Sequence, residues 1–273
     1  MRSGRWAAVV GGSLCLFFPG ALLAQAPSAA PPPATASSAK VPPLPANAAE
    51  LFALLSQRHY TELSQLFRNT NKFEEIMLNM NWQNSMMLLG ASAFINFSYI
   101  ANLDRISTAL GEVRGVEPRK TAAMTWLYTY ELILIDGVKC KDGSAPGHRK
   151  DQLLTTFPTV VKSIRTFSDE EIDTIVKTAL KMESFTAPRR TDDDFLCRGG
   201  LAEMQAALAK YGNEATREVP TPQGGLGKTM EIRADPDYKP EFLDRMTYEP
   251  KQAEFRASMP EILSKFVSDV RKK

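Results

Sequence analysis

The sequence predicts an all-α protein, a multi-helix bundle of about eight helices around one buried central helix and closed by one disulfide. Three observations lead to this fold class. Residues 118–137 form the most apolar stretch outside the N-terminus, apolar residues recur at helical spacing along residues 47–271, and only two cysteines follow the N-terminal segment. No stretch has the pattern of a convincing strand.

Residues 118–137 are predicted to form the central helix. The run carries Trp126, Tyr128 and Tyr130 among aliphatic side chains, so few of its positions suit contact with water. A strand is the alternative, because the even-numbered positions from Ala122 to Leu134 are all apolar. The run is more than twice as long as a mean strand of about 5–6 residues, which favours the helix.

The first 26 residues have the pattern of a secretory signal peptide. Arg2 and Arg5 precede an apolar run from Trp6 to Leu23, and Ala24-Gln25-Ala26 suits cleavage after Ala26 or after Ala24. A membrane anchor is the alternative, but Pro19-Gly20 interrupts the run, which is shorter than the ~20 residues of a span. The predicted location is therefore periplasmic or secreted, with no stable membrane insertion after cleavage.

The rest of the chain divides by composition. Residues 27–46 are rich in Pro, Ala and Ser and are predicted to be a flexible linker, with a Pro-rich ligand for another protein as the alternative. Residues 47–212 are predicted to be a helical domain, residues 213–239 a loop or hinge, and residues 240–273 C-terminal helices.

The charge balance argues against two classes of partner. The chain has 33 basic and 31 acidic residues, and loss of Arg2 and Arg5 with the signal peptide makes it neutral. A neutral chain with interspersed charges has no electrostatic reason to bind nucleic acid or an anionic membrane surface.

The cysteines predict one disulfide. Cleavage of the signal peptide removes Cys15 and leaves Cys140 and Cys197 in a compartment that oxidises thiols. Two free thiols or a redox pair are the alternatives, but the two residues do not form a CxxC motif. We therefore predict a structural Cys140–Cys197 bond.

Apolar residues at helical spacing place the other helices. After Cys140, a turn at residues 141–147 leads to a helix that Pro158 ends or kinks, and Ser168 with Glu171 forms a capping box for the next helix. The predicted segments are 48–57, a short helix from Thr61, 73–89, 93–110, 118–137, 153–164, 169–180, 201–211 and one or two helices in residues 240–271.

Two patterns suggest ligand sites but have simpler explanations. The run Gly224–Thr229 is similar to the end of a phosphate-binding loop, but Pro222 occupies the position of its first glycine and no apolar strand precedes it. Met77, Met80, Met86 and Met87 could supply thioethers to Cu(I), although methionine is also a common residue of cores. A loop and core packing are the respective predictions.

The two histidines and one acidic run also have simpler explanations than a ligand site. His59 and His148 are the only histidines and have no metal-ligand spacing, so we predict surface or turn positions. Residues 192–194 are all Asp but lack the ligand spacing of a calcium loop, and acids before a helix N-terminus need no other explanation. No cofactor, metal site or catalytic group is predicted from these residues.

One segment has a sharper alternative. Glu183-Ser184-Phe185, followed by Gly200-Leu201 and Met204-Gln205, resembles the signature of lytic transglycosylases, a lysozyme-like family. The resemblance implies that Glu183 is a general acid whose pKa is raised by apolar neighbours. The pattern departs from the family's, because one residue is missing between Ser184 and Phe185 and two extra residues precede Met204.

These observations predict a non-catalytic protein-interaction module of the cell envelope, acting as an adaptor, inhibitor or assembly factor. Its partner would be an envelope protein or a secreted protein. The alternatives are a lysozyme-like enzyme that cleaves peptidoglycan with Glu183 as general acid, and a helical carrier that holds a small apolar ligand in a pocket between helices.

Overall fold

The computed structural model describes residues 42–219 and 229–272. The predicted signal peptide, residues 27–41 of the predicted linker and the run Gly224–Lys228 lie outside these ranges.

The described residues are mostly helical, which confirms the predicted fold class. They form eleven α-helices, nine of which have nine residues or more, and one two-stranded β-hairpin. The helices are α1 (Ala48–Ser56), α2 (Tyr60–Asn69), α3 (Phe73–Leu88), α4 (Ala93–Arg114), α5 (Val116–Ile135), α6 (Ser144–Thr156), α7 (Pro158–Ser163), α8 (Asp169–Thr186), α9 (Asp194–Cys197), α10 (Leu201–Tyr211) and α11 (Arg245–Lys272). The strands are β1 (Thr216–Val219) and β2 (Thr229–Ile232).

Helix α5 is the predicted central helix, and no residue from Ala122 to Ile135 is exposed. It contacts α4, α6, α7, α8 and α11. Ala123, Trp126 and Leu127 are 0% exposed to solvent. Pro118 is the third residue of the helix, where a missing N–H breaks no intrahelical hydrogen bond.

The C-terminal segment forms one helix, α11, which packs on α5 and α8. Phe266 stacks on Trp126 and Tyr130, with ring centroids 5.1 Å and 5.2 Å away. Leu263 of α11 is completely buried, so the helix completes the core around α5. Composition alone does not tell whether the C-terminal residues pack on the helical domain, and the contacts of α11 show that they do.

Local signals for helix ends are confirmed in two places. The Ser168 hydroxyl accepts the Glu171 N–H at 3.2 Å while the Glu171 carboxylate accepts the Ser168 N–H at 2.8 Å, which is a complete capping box. Pro158 ends α6 and is the first residue of α7. These signals act through neighbouring residues alone, which is why the sequence shows them.

The hairpin is the main difference from the predicted architecture. Residues 213–239 were expected to be a loop or hinge, yet β1 and β2 pair antiparallel with Thr216 opposite Ile232 and Val219 opposite Thr229. Each strand has four residues in a segment rich in Gly and Pro, and only β2 has a charged residue, Glu231, between two apolar ones, because Arg217 and Glu218 are adjacent in β1. Such short strands are stabilised by pairing across the hairpin, which local periodicity does not show.

The predicted disulfide is present between Cys140 and Cys197, whose Cα atoms are 5.2 Å apart. Cys140 follows a short 3₁₀ turn (Gly137–Lys139) that continues from α5, and Cys197 is the last residue of α9. The segment before α11 pairs with the same turn, because Leu243 N–H donates to Lys139 O at 2.8 Å. The end of α5 is therefore joined covalently to the α9–α10 region.

None of the helices in the described ranges combines the length and the apolar character that a membrane span requires.

Removal of the disulfide is expected to lower the free energy of unfolding by about 4 kcal/mol, because the bond closes a long loop in the unfolded chain. The sequence separation of the two cysteines is 57 residues. Urea unfolding of wild type, of reduced wild type and of the double variant Cys140→Ser/Cys197→Ser measures it. Reduced wild type and the double variant should lose the same free energy of unfolding relative to oxidised wild type. A loss under about 1 kcal/mol in both would contradict a stabilising bond.

Candidate functional site

A cleft of about 910 Å³ opens where four segments of the chain meet. Its walls come from the turn between α1 and α2 (residues 58–62), the start of α6 (His148 and Arg149), the α9–α10 region (residues 195–204) and the end of the hairpin (residues 230–237). One wall residue, Arg198, directly follows Cys197 of the disulfide.

Four arginines line the cleft, and only two of them are paired with carboxylates. Arg58 Nη1 lies 2.5 Å from Asp194 Oδ2, and Arg198 Nη2 lies 2.5 Å from Glu203 Oε1. Arg149 and Arg233 have no carboxylate within 4.0 Å in the described part of the chain. Neither arginine therefore forms an ion pair with the described residues, and the charges of Asp193 and Glu203 act on Arg149 only from beyond that distance.

Arg149 is half-buried and is held in one orientation by neutral groups. Its Nε donates to Phe195 O at 2.6 Å, its Nη1 donates to Gln152 Oε1 at 2.7 Å, and its guanidinium lies over the Phe195 ring at 4.1 Å. Burial is the main reason that the pKa of Arg149 is lowered to about 10. Nη2 makes no hydrogen bond to the described residues, so one donor of the fork is available to a ligand.

Gly199 packs closely against the neighbouring residues His148 and Arg149 at the wall of the cleft. Gly199 has φ +83°, and a Cβ there would lie 2.8 Å from His148 Cδ2 and 3.6 Å from Arg149 Nη2. Any larger residue would displace the imidazole. Burial, and then the charge of Arg149, lower the pKa of His148, so its ring is neutral at pH 7.

Most acids of the cleft are already engaged. Glu203 accepts from Arg198 and from the Gly199 N–H, while Glu231 and Asp237 pair with Arg217 and Lys210, which are not cleft residues. Glu62 at the exposed rim is the exception and has no ion pair in residues 42–219 and 229–272. The inner wall is therefore a place for an anionic group rather than for a metal cation.

The histidines and acids singled out in the sequence have positions that local spacing did not show. His59 and His148 both line the cleft, although 88 residues separate them in the chain. Asp193 is an N-cap whose Oδ1 accepts from Phe195 N and Ser92 Oγ and whose Oδ2 accepts from Ala93 N. Within the described ranges, no group of three or more His, Cys, Asp or Glu could hold a metal ion.

The four methionines divide between core and surface. Met80 and Met87 are buried among apolar side chains, Met86 is partly buried, and Met77 is 38% exposed. Met77 and Met80 therefore point to different environments, and this arrangement favours packing.

Glu183 lies in a buried ion network that joins three helices. Its Oε1 accepts from Arg190 Nη2 at 2.5 Å and from Arg256 Nε at 3.1 Å. Arg190 Nε in turn lies 2.6 Å from Asp136 Oδ2, whose second oxygen accepts from Gln252 Nε2 at 2.9 Å. The network connects the end of α5 with α8 and α11.

This network bears on the lysozyme-like alternative. A general acid must reach its substrate, whereas the side chain of Glu183 is 5% exposed and is paired with two arginines. Met204, from the second half of the resemblance, lines the cleft, and Glu183 does not. The geometry thus favours a structural role for Glu183.

Glu131 is the most unusual ionisable group of the core. It is 0% exposed, and neither carboxylate oxygen has a hydrogen-bond partner among the described residues. Burial, and secondarily the charge of Glu183, raise the pKa of Glu131 to about 8. The side chain therefore carries a proton at neutral pH, which avoids an unpaired charge inside the bundle.

No protein-family model matches the chain, and no curated protein or solved structure is similar to it.

Sequence reasoning missed Arg149, Gly199 and Arg233 as site residues. The sequence carries part of the signal, because each of three short runs places an arginine beside a histidine or a glycine. These runs are Arg58-His59-Tyr60, His148-Arg149 and Arg198-Gly199-Gly200. Each of these runs alone describes only a polar turn. Their meeting point depends on the packing of α2, α6 and α10.

Glu131→Gln is expected to remove a pH dependence of stability. Between about pH 4.5 and about pH 8 the folded chain holds the Glu131 proton and the unfolded chain releases it. The free energy of unfolding of wild type should thus fall, relative to that of Glu131→Gln, by about 1.4 kcal/mol per pH unit across this window. Urea unfolding at several pH values measures the difference. The exposed control Glu112→Gln should follow wild type, and parallel profiles for wild type and Glu131→Gln would show that the buried carboxyl is not protonated.

Proposed function

We propose that this chain is an exported helical protein that binds another protein without catalysing a reaction, and that the cleft is its binding site. One observation supports this most: Arg149 is half-buried, oriented by neutral groups and without a carboxylate partner in the described ranges. A half-buried cation that makes no ion pair reduces stability relative to a paired one, which is tolerated at a site where a ligand supplies the charge.

The composition of the cleft also suits a protein ligand. Phe195, Met204, Met230 and Ile232 provide apolar surface beside the arginines. Met230 is 50% exposed, and flexible methionine side chains adapt to a bound surface. A mixture of arginine, aromatic and methionine side chains is typical of protein interfaces.

The other two functions have weaker support. The enzyme alternative needs an accessible Glu183, and the ion network covers it. The carrier alternative needs an enclosed apolar pocket. The groove of about 600 Å³ between α8 and α11 is lined by apolar side chains such as Ile172, Val176, Leu180 and Val267, but it is bordered by Asp169, Asp173, Lys177 and Arg271. An adaptor, inhibitor or assembly factor in the periplasm, or in the secreted fraction, is the function that we infer.

A bulky side chain in the cleft should abolish partner binding. Ala234 is exposed and lines the cleft at the second position after β2, so Ala234→Trp fills space there without altering the core. Immobilised wild type, Ala234→Trp and the control Ala253→Trp, an exposed position of α11, are incubated with envelope extract, and retained proteins are quantified by mass spectrometry.

Wild type and Ala253→Trp are expected to retain a common protein that Ala234→Trp loses at least about tenfold, a difference of about 1.4 kcal/mol in binding. Equal retention by Ala234→Trp would contradict the cleft as the binding site. Retention of no protein by wild type would contradict the binding function.

A further inference from the structure

Within residues 42–219 and 229–272, strand β2 is paired on one side only, which leaves it with a free edge among these residues. The Arg233 N–H donates to Ala215 O at 2.6 Å, and Arg217 lies opposite Glu231 in the same register. Bonded and non-bonded pairs alternate in an antiparallel ladder, so the backbone N–H and C=O groups of Met230 and Ile232 point away from β1. Among the described residues, no hydrogen bond is made by these groups.

This free edge borders the cleft. Five consecutive residues, 230–234, line the cleft, while no residue of β1 does. The cleft therefore lies on the side of β2 that is opposite β1. An unpaired strand edge is a template for another strand, and natural proteins usually cover or block such edges.

The charges beside this edge select one kind of strand. Arg233 directly follows β2, Arg149 faces the cleft from α6, and neither has a carboxylate partner in the described ranges. Glu203, Glu231 and Asp237 are already paired. A strand that carries carboxylates would neutralise the two arginines, and an arginine fork matches a carboxylate in geometry as well as in charge.

We infer that the cleft binds an extended acidic peptide segment of the partner, which pairs as a third strand with the free edge of β2 and places a carboxylate against Arg149. This inference rests on the proposed function and specifies the chemistry of the partner. Backbone hydrogen bonds to Met230 and Ile232 supply part of the affinity, and the arginines supply the preference for acidic side chains.

The probe is a fluorescently labelled peptide of about six residues, the usual length of a strand, with alternating threonine and glutamate and with blocked termini. A matched peptide has glutamine in place of glutamate. A third peptide keeps the glutamates and carries N-methyl groups on alternate amides, which blocks strand pairing. Binding to the full protein is followed by fluorescence anisotropy.

The glutamate peptide should bind at least about tenfold more tightly than the glutamine peptide and than the N-methylated peptide, since each lacks one set of hydrogen bonds. Equal binding of the glutamate and glutamine peptides would overturn the acidic preference. Equal binding of the N-methylated peptide would overturn strand pairing.

Variants locate the contact on the protein. Arg149→Gln should weaken binding of the glutamate peptide at least about tenfold, whereas the exposed control Arg68→Gln should not change it. Arg233→Gln, at an exposed position, gives the same test if Arg149→Gln fails to fold. Unchanged binding in both cleft variants would overturn the assignment of the carboxylate.

Ile232→Pro removes only an N–H that points away from β1, a substitution that edge strands accept. It should weaken binding at least about tenfold while nuclear Overhauser contacts between Arg217 and Glu231 show that the hairpin persists. Unchanged binding would overturn pairing at this edge.

Failure of this inference can be told from failure of the proposed function. If no peptide binds while Ala234→Trp still loses the envelope partner, the cleft is a binding site but not for an acidic strand. If Ala234→Trp retains the partner, both proposals fall.

Discussion

The burial of α5 from Ala122 to Ile135 is the constraint on which the rest of the structure depends. A helical stretch without an exposed residue must satisfy its polar groups inside the bundle, because an unpaired polar group in the interior is costly. Thr129 donates to the carbonyl of Thr125, and the Tyr128 hydroxyl lies 2.7 Å from that of Thr186. Glu131 has no such partner, and its raised pKa is the consequence. The Tyr128 hydroxyl thus joins α5 to α8 inside the core.

The residues that follow α5 connect the buried helix to the wall of the cleft. Asp136 joins Arg190 and Gln252, and Cys140 then joins Cys197 at the end of α9. Arg198 and Gly199 follow immediately, so the inner wall of the cleft is attached both covalently and by ion pairs to the core. The opposite wall is β2, which contacts the rest of the chain through α10 and β1. A wall of arginines that is attached to the core faces an edge of β2 that no other described strand pairs with, which is an arrangement suited to binding an extended segment.

Much of the fold could be predicted, because its signals are local. Helical periodicity predicted α5 within two residues at each end, the Ser168–Glu171 pair predicted the start of α8, and the count of cysteines predicted the disulfide. The hairpin and the cleft could not be predicted, since both depend on pairings between distant segments. Glu183 shows why a short motif can mislead. The motif around it suggested catalysis, but its role depends on Arg190 from a loop and on Arg256 from a helix 73 residues away, which the motif does not include.

Native-state hydrogen exchange, measured by mass spectrometry of proteolytic fragments, tests most directly whether α5 is the central helix on which the other elements pack. Amides in buried elements exchange only when those elements unfold. The amides of residues 125–135 should be the last in the protein to exchange, at the free energy of global unfolding. Their exchange before the amides of α2 or α10 would contradict a structure organised around α5.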